Sequence, residues 1–313
     1  MSFGLDIPGN LLLAGEYAVT ESGGLGVALA IQPGVRLAAR SAPALRITGR
    51  WGLSSVSWSA EGRDRCELFD AVVRSLPPAR PLPGLEITVD SRELFDAGGR
   101  KRGFGSSAAV AAAVAAALLR GTGAELPRAE DVAALALRAH RAFQGGRGSG
   151  YDVTASIRGG SGLFVGGELP SWEPIRLGWL ASARLFAGEK PVATAGATER
   201  YRRWKSERPA EALAFLSESN TLVRALVAAR SREEAGSALA SLRDLGVRLG
   251  ESIGVDASIR PPPELLARDR SGVWKALGAG NELGVFLAAR GSGERAPASL
   301  RLEPAAAGLS WRS

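Results

Sequence analysis

Cysteine and histidine are nearly missing from this sequence. Cys66 is the single cysteine and His140 the single histidine among 313 residues. One cysteine excludes an internal disulfide and a cysteine-based metal cluster. One histidine excludes a histidine-cluster metal site and limits any Ser/His/Asp triad to one built on His140. We interpret Cys66 as a small buried apolar residue and His140 as a helix histidine that is satisfied by its neighbours.

Long apolar runs are missing as well. Hydrophobic residues make up 45% of the chain and the mean hydropathy is +0.02, which is typical of a soluble globular protein. The alanine-rich run of residues 108–119 is too short and too weakly hydrophobic to span a bilayer. The first residues contain no basic segment followed by an apolar one, so we expect a cytoplasmic protein without a membrane partner.

Lysine and aromatic residues are scarce, whereas arginine is abundant. The net charge is +7 and the pI about 10.2, which predicts an anionic ligand. Aromatic residues make up only 6% and the basic residues form no block, so nucleic acid is a weak alternative and not an expected partner. The few lysines are candidates for places where a compact ammonium matters. They are Lys101, Lys190, Lys205 and Lys275.

The most informative stretch joins a basic, glycine-containing loop to an alanine-rich run. Residues 100–107 read Arg-Lys-Arg-Gly-Phe-Gly-Ser-Ser, and residues 108–119 contain no glycine or proline. This pattern predicts a helix from Ser106 to Gly121. Its first turn, capped by the serines and opened by the glycines, could bind phosphate, with Lys101 supplying charge. An ordinary capped helix without a ligand explains the same residues equally well.

Two familiar phosphate-binding loops fit this stretch poorly. The P-loop pattern GxxxxGK[ST] is missing from the whole sequence, which argues against a P-loop NTPase. Gly103, Gly105 and Ala108 fit the looser dinucleotide pattern GxGxxA, but that pattern needs a strand ending at its first glycine. The nearest predicted strand, residues 85–89, is separated from Gly103 by a polar stretch. A Rossmann fold is therefore a minor alternative.

Hydrophobic periodicity and turn residues predict the remaining elements. A hairpin is expected within residues 5–31, and Asp64 is expected to cap the helix that ends before Pro77. A polar segment at residues 168–176 is the predicted domain boundary. Further strands are predicted at residues 35–37, 45–48, 56–58, 159–167, 185–188 and 300–303, and further helices at residues 130–143, 195–207, 209–230 and 233–250.

Two motifs in the first half resemble those of the GHMP kinases. Gly-Phe-Gly-Ser-Ser-Ala-Ala at residues 103–109 is similar to the second family motif, usually Gly-Leu-Gly-Ser-Ser-Ala-Ala, which holds the phosphates of ATP. Residues 8–19 resemble the first motif, Pro-Gly-Lys-x-x-x-x-Gly-Glu-[His/Tyr]. Tyr17 is the variant seen in phosphomevalonate kinases, whereas mevalonate kinases more often have histidine. Asn10 departs from the family, because a lysine is usual at its position.

Residues 139–153 resemble the phosphomevalonate kinases too. Without that context, Gly-Ser-Gly-Tyr-Asp-Val at residues 148–153 is best explained as an ordinary glycine-rich loop. Its similarity to the form His…Gln-Gly…Gly-Ser-Gly-[Phe/Tyr]-Asp-Val implies that Asp152 is the general base. Mevalonate kinases have a magnesium-binding glutamate upstream of this loop. The equivalent position here is about Arg141, so that ligand is missing.

The second half carries a weaker resemblance. Residues 190–194 are similar to the Gly-Lys-x-x-Ser-Thr stretch of phosphomevalonate kinases, which faces their active-site cleft; alone they predict only a helix cap at Thr194. Residues 275–288 resemble the third motif, Lys-x-Ser-Gly-Ala-Gly-Gly-Gly-Asp-x-Gly. The serine is lost, and Asn281-Glu282 replaces Gly-Gly-Asp in a shorter loop. A ligand loop and a structural glycine hairpin explain this stretch equally well.

The resemblance implies an α+β protein with the two-domain GHMP-kinase fold and a ligand cleft between the domains. It implies an ATP-binding domain at residues 1–170, a second domain at residues 171–313, and Mg²⁺-dependent phosphoryl transfer from ATP to phosphomevalonate in isoprenoid biosynthesis. Mevalonate kinase, another small-molecule kinase of the family and a non-catalytic nucleotide-binding homologue remain alternatives. A homodimer is left open.

The resemblance also assigns roles to individual residues. It implies that Asp152 takes the acceptor's proton, that Lys101 neutralises charge on the transferred group, and that Ser107 is a ligand of Mg²⁺. The nucleotide-binding set is Gly103, Gly105, Ser106, Ser107 and Ala108. The substrate-binding set is Asn10, Glu16, Tyr17, Ser149, Gly150, Lys190, Thr194, Gly278 and Gly280.

Overall fold

The chain divides into two compact units of mixed α and β structure, which confirms the predicted α+β class. The computed structural model describes residues 1–62, 65–78, 81–123, 125–146, 148–188, 194–278, 280–289 and 299–312, without the side chains of residues 194 and 195. Unit 1 comprises Met1–Leu11, Leu29–Gly160 and Pro304–Ser313, and unit 2 comprises Leu12–Ala28 and Ser161–Glu303.

This division differs from the predicted single boundary at residues 170 and 171. The polar segment that suggested the boundary contains a strand, Ser171–Ile175 (β7), which pairs antiparallel with Ser161–Val165 (β6). Pro174 lies within β7, and its missing N–H is tolerated because β7 pairs with β6 alone and is an edge strand. Proline and polar residues at this point therefore mark an edge strand.

Unit 1 contains a largely antiparallel sheet in the order β12-β1-β2-β5-β3-β4, in which β3 and β5 run parallel. Side chains alternate between the core and solvent, so that Leu85, Ile87 and Val89 of β5 are buried. The strands are Ser2–Ala14 (β1), Leu25–Ser41 (β2), Arg46–Trp51 (β3), Ser54–Ser59 (β4), Leu85–Asp90 (β5) and Ser310–Arg312 (β12). Residues 12–14 of β1 and 25–28 of β2 are assigned to unit 2.

In unit 1, three helices pack around a fourth, the alanine-rich helix Ser106–Thr122 (α2). The others are Glu67–Arg74 (α1), Ala129–Phe143 (α3) and Tyr151–Arg158 (α4). Every residue of α2 from Ala108 to Leu119 is buried, because α1, α3, α4 and β5 contact it from different sides. Small alanine side chains allow these neighbours to approach, so the apolar run is a central core helix.

Three sequence expectations for unit 1 need correction. The loop expected at residues 148–153 ends at Gly150, and its last three residues begin the short amphipathic helix α4. Cys66 is half-buried at the N-cap of α1 rather than fully buried, and Asp64 lies outside the described residues. The N-cap of α2 is Gly105 and no side chain caps it, so both serines lie within the first helical turn.

Unit 2 combines a small antiparallel sheet with a group of helices. The sheet order is β11-β8-β10-β9. Its strands are Ala183–Ala187 (β8), Val273–Leu277 (β9), Leu283–Leu287 (β10) and Leu300–Arg301 (β11), and its helices are Thr194–Glu207 (α5), Pro209–Ala228 (α6), Arg232–Ile253 (α7) and Pro263–Arg268 (α8). Helices α5, α6 and α7 confirm the three predicted helical runs, whereas α8 was not predicted.

The helices of unit 2 enclose an aromatic cluster. Tyr201 is fully buried and its ring centroid lies 5.9 Å from that of Trp204 and 6.0 Å from that of Phe215. Helix α7 also packs on β9, which joins the helices to the sheet. Within the described part of the chain, no helix is both long enough and apolar enough to cross a membrane.

Candidate functional site

The loop before α2 holds its glycines in conformations that other residues avoid. Gly103 has φ 79° and Gly105 has φ 61°, both in the left-handed region. Gly105 ends the loop as the N-cap of α2, and its carbonyl accepts the N–H of Ala109 at 3.2 Å. The N–H groups of Ser106, Ser107 and Ala108 lie ahead of that first helical bond and have no acceptor within the helix. This turn therefore presents donors and the positive end of the helix dipole to an anion.

Asn10 holds this loop from the neighbouring strand β1. Its backbone N–H donates to Phe104 O at 3.0 Å, and its side-chain Nδ2 donates to Gly105 O at 3.2 Å and to Ser156 Oγ at 2.9 Å. The side chain is 1% exposed, and its Oδ1 has no hydrogen-bond partner among the described residues. Asn10 thus supports the loop from behind, and its substrate contact stays a prediction.

The fit between Asn10 and Gly105 is close enough to require glycine. A Cβ on Gly105 would lie 2.1 Å from Asn10 Oδ1, far inside contact distance. A side chain at position 105 would therefore collide with the loop's own support before it met a ligand.

Three helices bring Ser107, His140 and Asp152 into one hydrogen-bonded row. Ser107 Oγ on α2 lies 3.1 Å from His140 Nε2 on α3, and His140 Nδ1 lies 3.3 Å from Asp152 Oδ2 on α4. The His140 side chain is 2% exposed, whereas that of Asp152 is 15% exposed. The other carboxylate oxygen of Asp152 accepts the N–H of Val153 at 2.8 Å. The row therefore runs from the first turn of α2 to a carboxylate that is partly exposed to solvent.

The charges of this row stabilise one another. Burial alone would raise the pKa of Asp152, but the charge and hydrogen bond of His140 and the Val153 N–H bring that pKa below its usual value. Burial alone would lower the pKa of His140, and Lys101 acts in the same direction. The charge and hydrogen bond of Asp152 outweigh both and raise the His140 pKa. Asp152 is therefore an ionised hydrogen-bond acceptor at neutral pH.

Arg141 fixes the glycine-rich loop that leads to Asp152. Its Nε donates to Gly148 O at 3.0 Å and its Nη2 to Ser149 O at 3.0 Å. Gly150 then takes φ 89° as the N-cap of α4, where a Cβ would lie 2.1 Å from a methyl group of Leu137. Arg141 thus shapes the loop that leads to Asp152.

Few side-chain oxygens near Ser107 are suited to bind a magnesium ion. The described residues contain no group of three or more histidine, cysteine, aspartate or glutamate side chains suited to a metal. Ser107 Oγ and the Asp152 carboxylate are the oxygens at hand, and both already contact His140. Mg²⁺ in phosphate-binding sites takes one or two protein oxygens and the substrate's phosphates. The residues present fit an ion that arrives with a nucleotide.

A second polar arrangement lies within unit 2, where the first and third motifs meet. Lys275 Nζ is hydrogen-bonded to Glu16 Oε1, to Ala276 O at 2.7 Å and to Leu13 O at 3.3 Å. The Lys275 side chain is 3% exposed and that of Glu16 is 17% exposed. All three ammonium donors are thus used inside the protein. Lys275 and Glu16 hold β9 against the end of β1.

Tyr17 lies beside this ion pair in an unusual backbone conformation. Its φ is 63°, which is rare for a residue with a large side chain. Its ring centroid lies 5.3 Å from that of Tyr201. Burial and the charge of Glu16 raise the Tyr17 pKa, against the opposing charge of Arg200. A cavity of about 40 Å³, lined in part by Glu16, Tyr17, Lys275 and Gly278, adjoins these groups and has room for about one or two water molecules.

The structure therefore groups the predicted site residues in two sets. Unit 1 contains Asn10, Lys101, Gly103, Gly105, Ser106, Ser107, Ala108, Ser149, Gly150 and Asp152, and unit 2 contains Glu16, Tyr17, Gly278 and Gly280. Lys190 lies outside the described residues, and Thr194 is described only as the first residue of α5. The sequence analysis missed the parts played by His140, Arg141, Ser156 and Lys275. For these residues, the sequence offers one signal: its single histidine lies in the helix just before the Asp152 loop.

Comparison with known proteins gives one family match and several similar structures. Residues 67–160 match the family model of the GHMP kinases N terminal domain. No curated protein sequence matches the chain. Among solved structures, a Lin0012 protein from Listeria innocua has 21% identity and a TM-score of 0.80, with 93% of this chain and 91% of that chain covered.

Two further similar structures are of kinases in complex with a substrate. Streptococcus pneumoniae phosphomevalonate kinase in complex with phosphomevalonate and AMPPNP has 17% identity and a TM-score of 0.71, and the match covers 92% of both chains. L. major mevalonate kinase in complex with R-mevalonate has 19% identity and a TM-score of 0.62, with 91% of this chain and 86% of that chain covered. At these identities the similarity establishes a shared fold.

Proposed function

Because this chain belongs to the GHMP kinase family, we propose that it transfers the γ-phosphoryl group of ATP to a small phosphorylated acceptor, for which phosphomevalonate is the candidate. The observation that carries the proposal is the row Ser107–His140–Asp152, which begins at an anion-binding helix turn and ends at an ionised carboxylate. Phosphoryl transfer needs both: a place for the donor's phosphates and a proton acceptor or orienting group for the nucleophile.

In this proposal the nucleotide phosphates lie against the first turn of α2. The free N–H groups of Ser106, Ser107 and Ala108 donate to phosphate oxygens, and the left-handed glycines of the loop leave the backbone open to them. Lys101 is exposed in the loop before α2, and its charge acts to lower the pKa of His140. Its ammonium would offset charge that builds up on the transferred group.

Mg²⁺ is the proposed metal, with Ser107 Oγ as its protein ligand. When bound, the ion would neutralise the charge of the phosphates during transfer. Because Ser107 Oγ is held by His140, the hydroxyl is already oriented before the nucleotide arrives. Asn10 supports the same loop without adding a charge, which leaves Lys101 as the nearby ammonium among the described residues of unit 1.

The acceptor oxygen attacks the γ-phosphorus, and the bond from that phosphorus to the oxygen bridging to ADP breaks. A phosphate monoester loses its second proton near a pKa of about 6, so most of such an acceptor is already ionised at neutral pH. Asp152 accepts the remaining proton from the monoanion and orients the attacking group. With an alcohol acceptor, Asp152 would have to take the hydroxyl proton in every turnover.

Five observations favour a phosphorylated acceptor over an alcohol. Tyr17 and the loop sequence of residues 148–153 match the phosphomevalonate-kinase forms, and Arg141 stands where mevalonate kinases carry a glutamate. The net charge of +7 suits two polyanionic substrates. A structural neighbour of the same fold binds phosphomevalonate and AMPPNP together.

The direct test compares two acceptors. Untagged enzyme is assayed for kcat/KM with phosphomevalonate and with mevalonate at the same ATP, Mg²⁺ and salt concentrations. We expect a clear preference for phosphomevalonate. A preference for mevalonate would overturn the acceptor and leave the phosphotransferase in place.

Two features favour the second candidate, a nucleotide-binding homologue without turnover. Asn10 replaces the motif lysine, and Asn281-Glu282 alters the third motif. In this case, calorimetry would show ATP binding while a panel of phosphorylated and unphosphorylated acceptors gave no ADP release above the rate without acceptor.

A further inference from the structure

His140 is the buried residue of unit 1 whose contacts connect two different parts of the proposed reaction. Its ring lies between α2 and α4, with Ser107 Oγ 3.1 Å from Nε2 and Asp152 Oδ2 3.3 Å from Nδ1. The ring also stacks on Phe143 of its own helix, with centroids 6.1 Å apart and an interplanar angle of 26°. Both polar atoms of the ring are used, and neighbouring groups limit its rotation.

We propose that His140 is a positioning residue that fixes the Ser107 hydroxyl and the Asp152 carboxylate relative to each other. The proposal rests on the proposed function, in which Ser107 meets the nucleotide's phosphates and Asp152 meets the acceptor. His140 itself touches neither substrate, because its side chain is 2% exposed.

The hydrogen-bond directions follow from the partners. An ionised carboxylate can only accept, so Nδ1 of His140 must carry the hydrogen that points to Asp152. The carboxylate's second oxygen is held by the Val153 N–H at 2.8 Å, so both oxygens have fixed directions. Nε2 meets the Ser107 hydroxyl on the opposite side of the same rigid ring. One side-chain conformation therefore orients both groups.

Two substitutions separate the two contacts. In His140→Asn the side-chain amide can occupy the place of Nδ1 and keep a donor for Asp152, but it cannot reach Ser107. In His140→Gln the longer side chain can place its amide near the Nε2 position and keep a partner for Ser107, but it loses the Asp152 contact. A purely structural histidine would make both variants equally defective.

The kinetic experiment measures kcat and the KM for ATP with phosphomevalonate, together with the Kd of Mg²⁺-AMPPNP by calorimetry. We expect His140→Asn to weaken nucleotide binding by about tenfold, the value of one lost hydrogen bond, with the smaller change in kcat. We expect His140→Gln to keep the nucleotide Kd within about twofold and to lower kcat by about 10²-fold, the cost of a misplaced reacting group. Equal losses in both variants would overturn the proposal.

A spectroscopic experiment tests the same inference without altering His140. Because the untagged chain has one histidine, ¹⁵N-labelled histidine gives a single pair of ring nitrogen signals. We expect Ser107→Ala to shift the Nε2 signal and Asp152→Asn to shift the Nδ1 signal, each with little effect on the other. Ring signals that respond to neither variant would overturn the proposal, even if the His140 variants do not fold.

The outcomes also separate this inference from the proposed function. A wild-type enzyme that binds no nucleotide and turns over no acceptor refutes the proposed function, whatever the spectra show. A wild-type enzyme that is active, with no kinetic difference between the Asn and Gln variants, refutes only the positioning role of His140.

Discussion

The two polar arrangements of this protein use their charged groups in opposite ways. In unit 1, the row Ser107–His140–Asp152 starts beside unused backbone donors and ends at a carboxylate that is 15% exposed. In unit 2, the ammonium of Lys275 has three internal acceptors and its side chain is 3% exposed. The first arrangement can contact a ligand at both ends, and we call it open. In the second, the ammonium is fully used inside the protein, and we call it closed.

The open arrangement is suited to contact a ligand, whereas the closed one is suited to stabilise the fold. A closed, buried ion pair offers no donor to a ligand, but breaking it strands a charge in the interior. Loss of a member of the open row removes the geometry that a ligand or reacting group needs. Substitutions in the two places should therefore fail in different ways, in catalysis for unit 1 and in folding for unit 2.

The largest expected effect comes from Asp152→Asn at the open end of the row. Loss of a positioned proton acceptor lowers kcat by about 10²–10⁴-fold, and we expect the upper part of that range for an alcohol acceptor and the lower part for a phosphate monoester. The nucleotide Kd should stay near the wild-type value. The measurement is kcat with each acceptor and Kd by calorimetry.

Asp131→Asn provides the matched control, because Asp131 is an exposed carboxylate in the first turn of α3. It should retain wild-type kinetics. Wild-type turnover by Asp152→Asn with both acceptors would remove Asp152 from the mechanism.

Substitutions in the closed Glu16–Lys275 pair should lower the stability of the protein. Glu16→Gln removes the countercharge of Lys275, and we expect a loss of about 3 kcal/mol in the free energy of unfolding, the low end for a broken buried pair since Glu16 is partly exposed. Denaturant titration measures it. Glu16→Gln combined with Lys275→Met should recover much of the loss, because no unpaired charge remains.

The surface pair Arg248–Glu218 is the control for that effect. Its atoms lie 2.6 Å apart, but its side chains are 55% and 49% exposed. Glu218→Gln should therefore cost less than about 1 kcal/mol. If the two glutamine variants were equally stable, the Glu16–Lys275 pair would have no special part in holding unit 2.

The third prediction concerns the loop that Asn10 supports. Gly105→Ala should weaken ATP binding by at least about tenfold, because the new methyl group collides with Asn10 and displaces the N-cap of α2. Gly145→Ala shares the left-handed backbone, with φ 69°, but nothing lies within 4 Å of its added Cβ. It should show only the strain of a left-handed alanine, about 1 kcal/mol of stability, and bind ATP normally.

Equal ATP affinities of these two alanine variants would show that the contact between Asn10 and Gly105 does not shape the nucleotide site. The obstacle to a side chain at Gly105 is the side chain of Asn10.

Local signals in the sequence were enough to predict α2 and its loop. Alanine favours a helix wherever it runs without interruption, and the glycines before it mark a special backbone, so Ser106–Thr122 follows from neighbouring residues alone. A glycine hairpin is one of the two explanations that the sequence allows for residues 275–288, and β9 and β10 of that stretch pair antiparallel. A role of the same stretch in ligand binding stays a prediction.

Long-range pairings could not be predicted in this way. Glu16 and Lys275 lie 259 residues apart, and Ser107 and His140 lie 33 residues apart, so no local pattern joins them. Helix α4 was missed because Gly148 and Gly150 signal a loop, while Gly150 in fact caps a helix that packs on α2 and α3. Tertiary contacts decided each of these cases.

The smallest expected effect is that of Lys101, and it shows whether the Lys101 charge acts on the transition state or only on ATP binding. Lys101 is exposed and its backbone pairs with Phe95, so its ammonium can reach an anion at the α2 turn without a cost in folding. A point charge near a transferring phosphoryl group acts mainly in the transition state. Lys101→Met should therefore lower kcat by about tenfold and raise the KM for ATP by less than about threefold.

Arg102 is the neighbouring control, since its Nε donates to Phe95 O at 2.9 Å and is used within the loop. Arg102→Met should change neither constant by more than about twofold. If Lys101→Met instead raised the KM for ATP and left kcat unchanged, its charge would belong to ground-state binding. The open row of unit 1 would then act in transfer through Asp152 and His140, without help from the loop lysine.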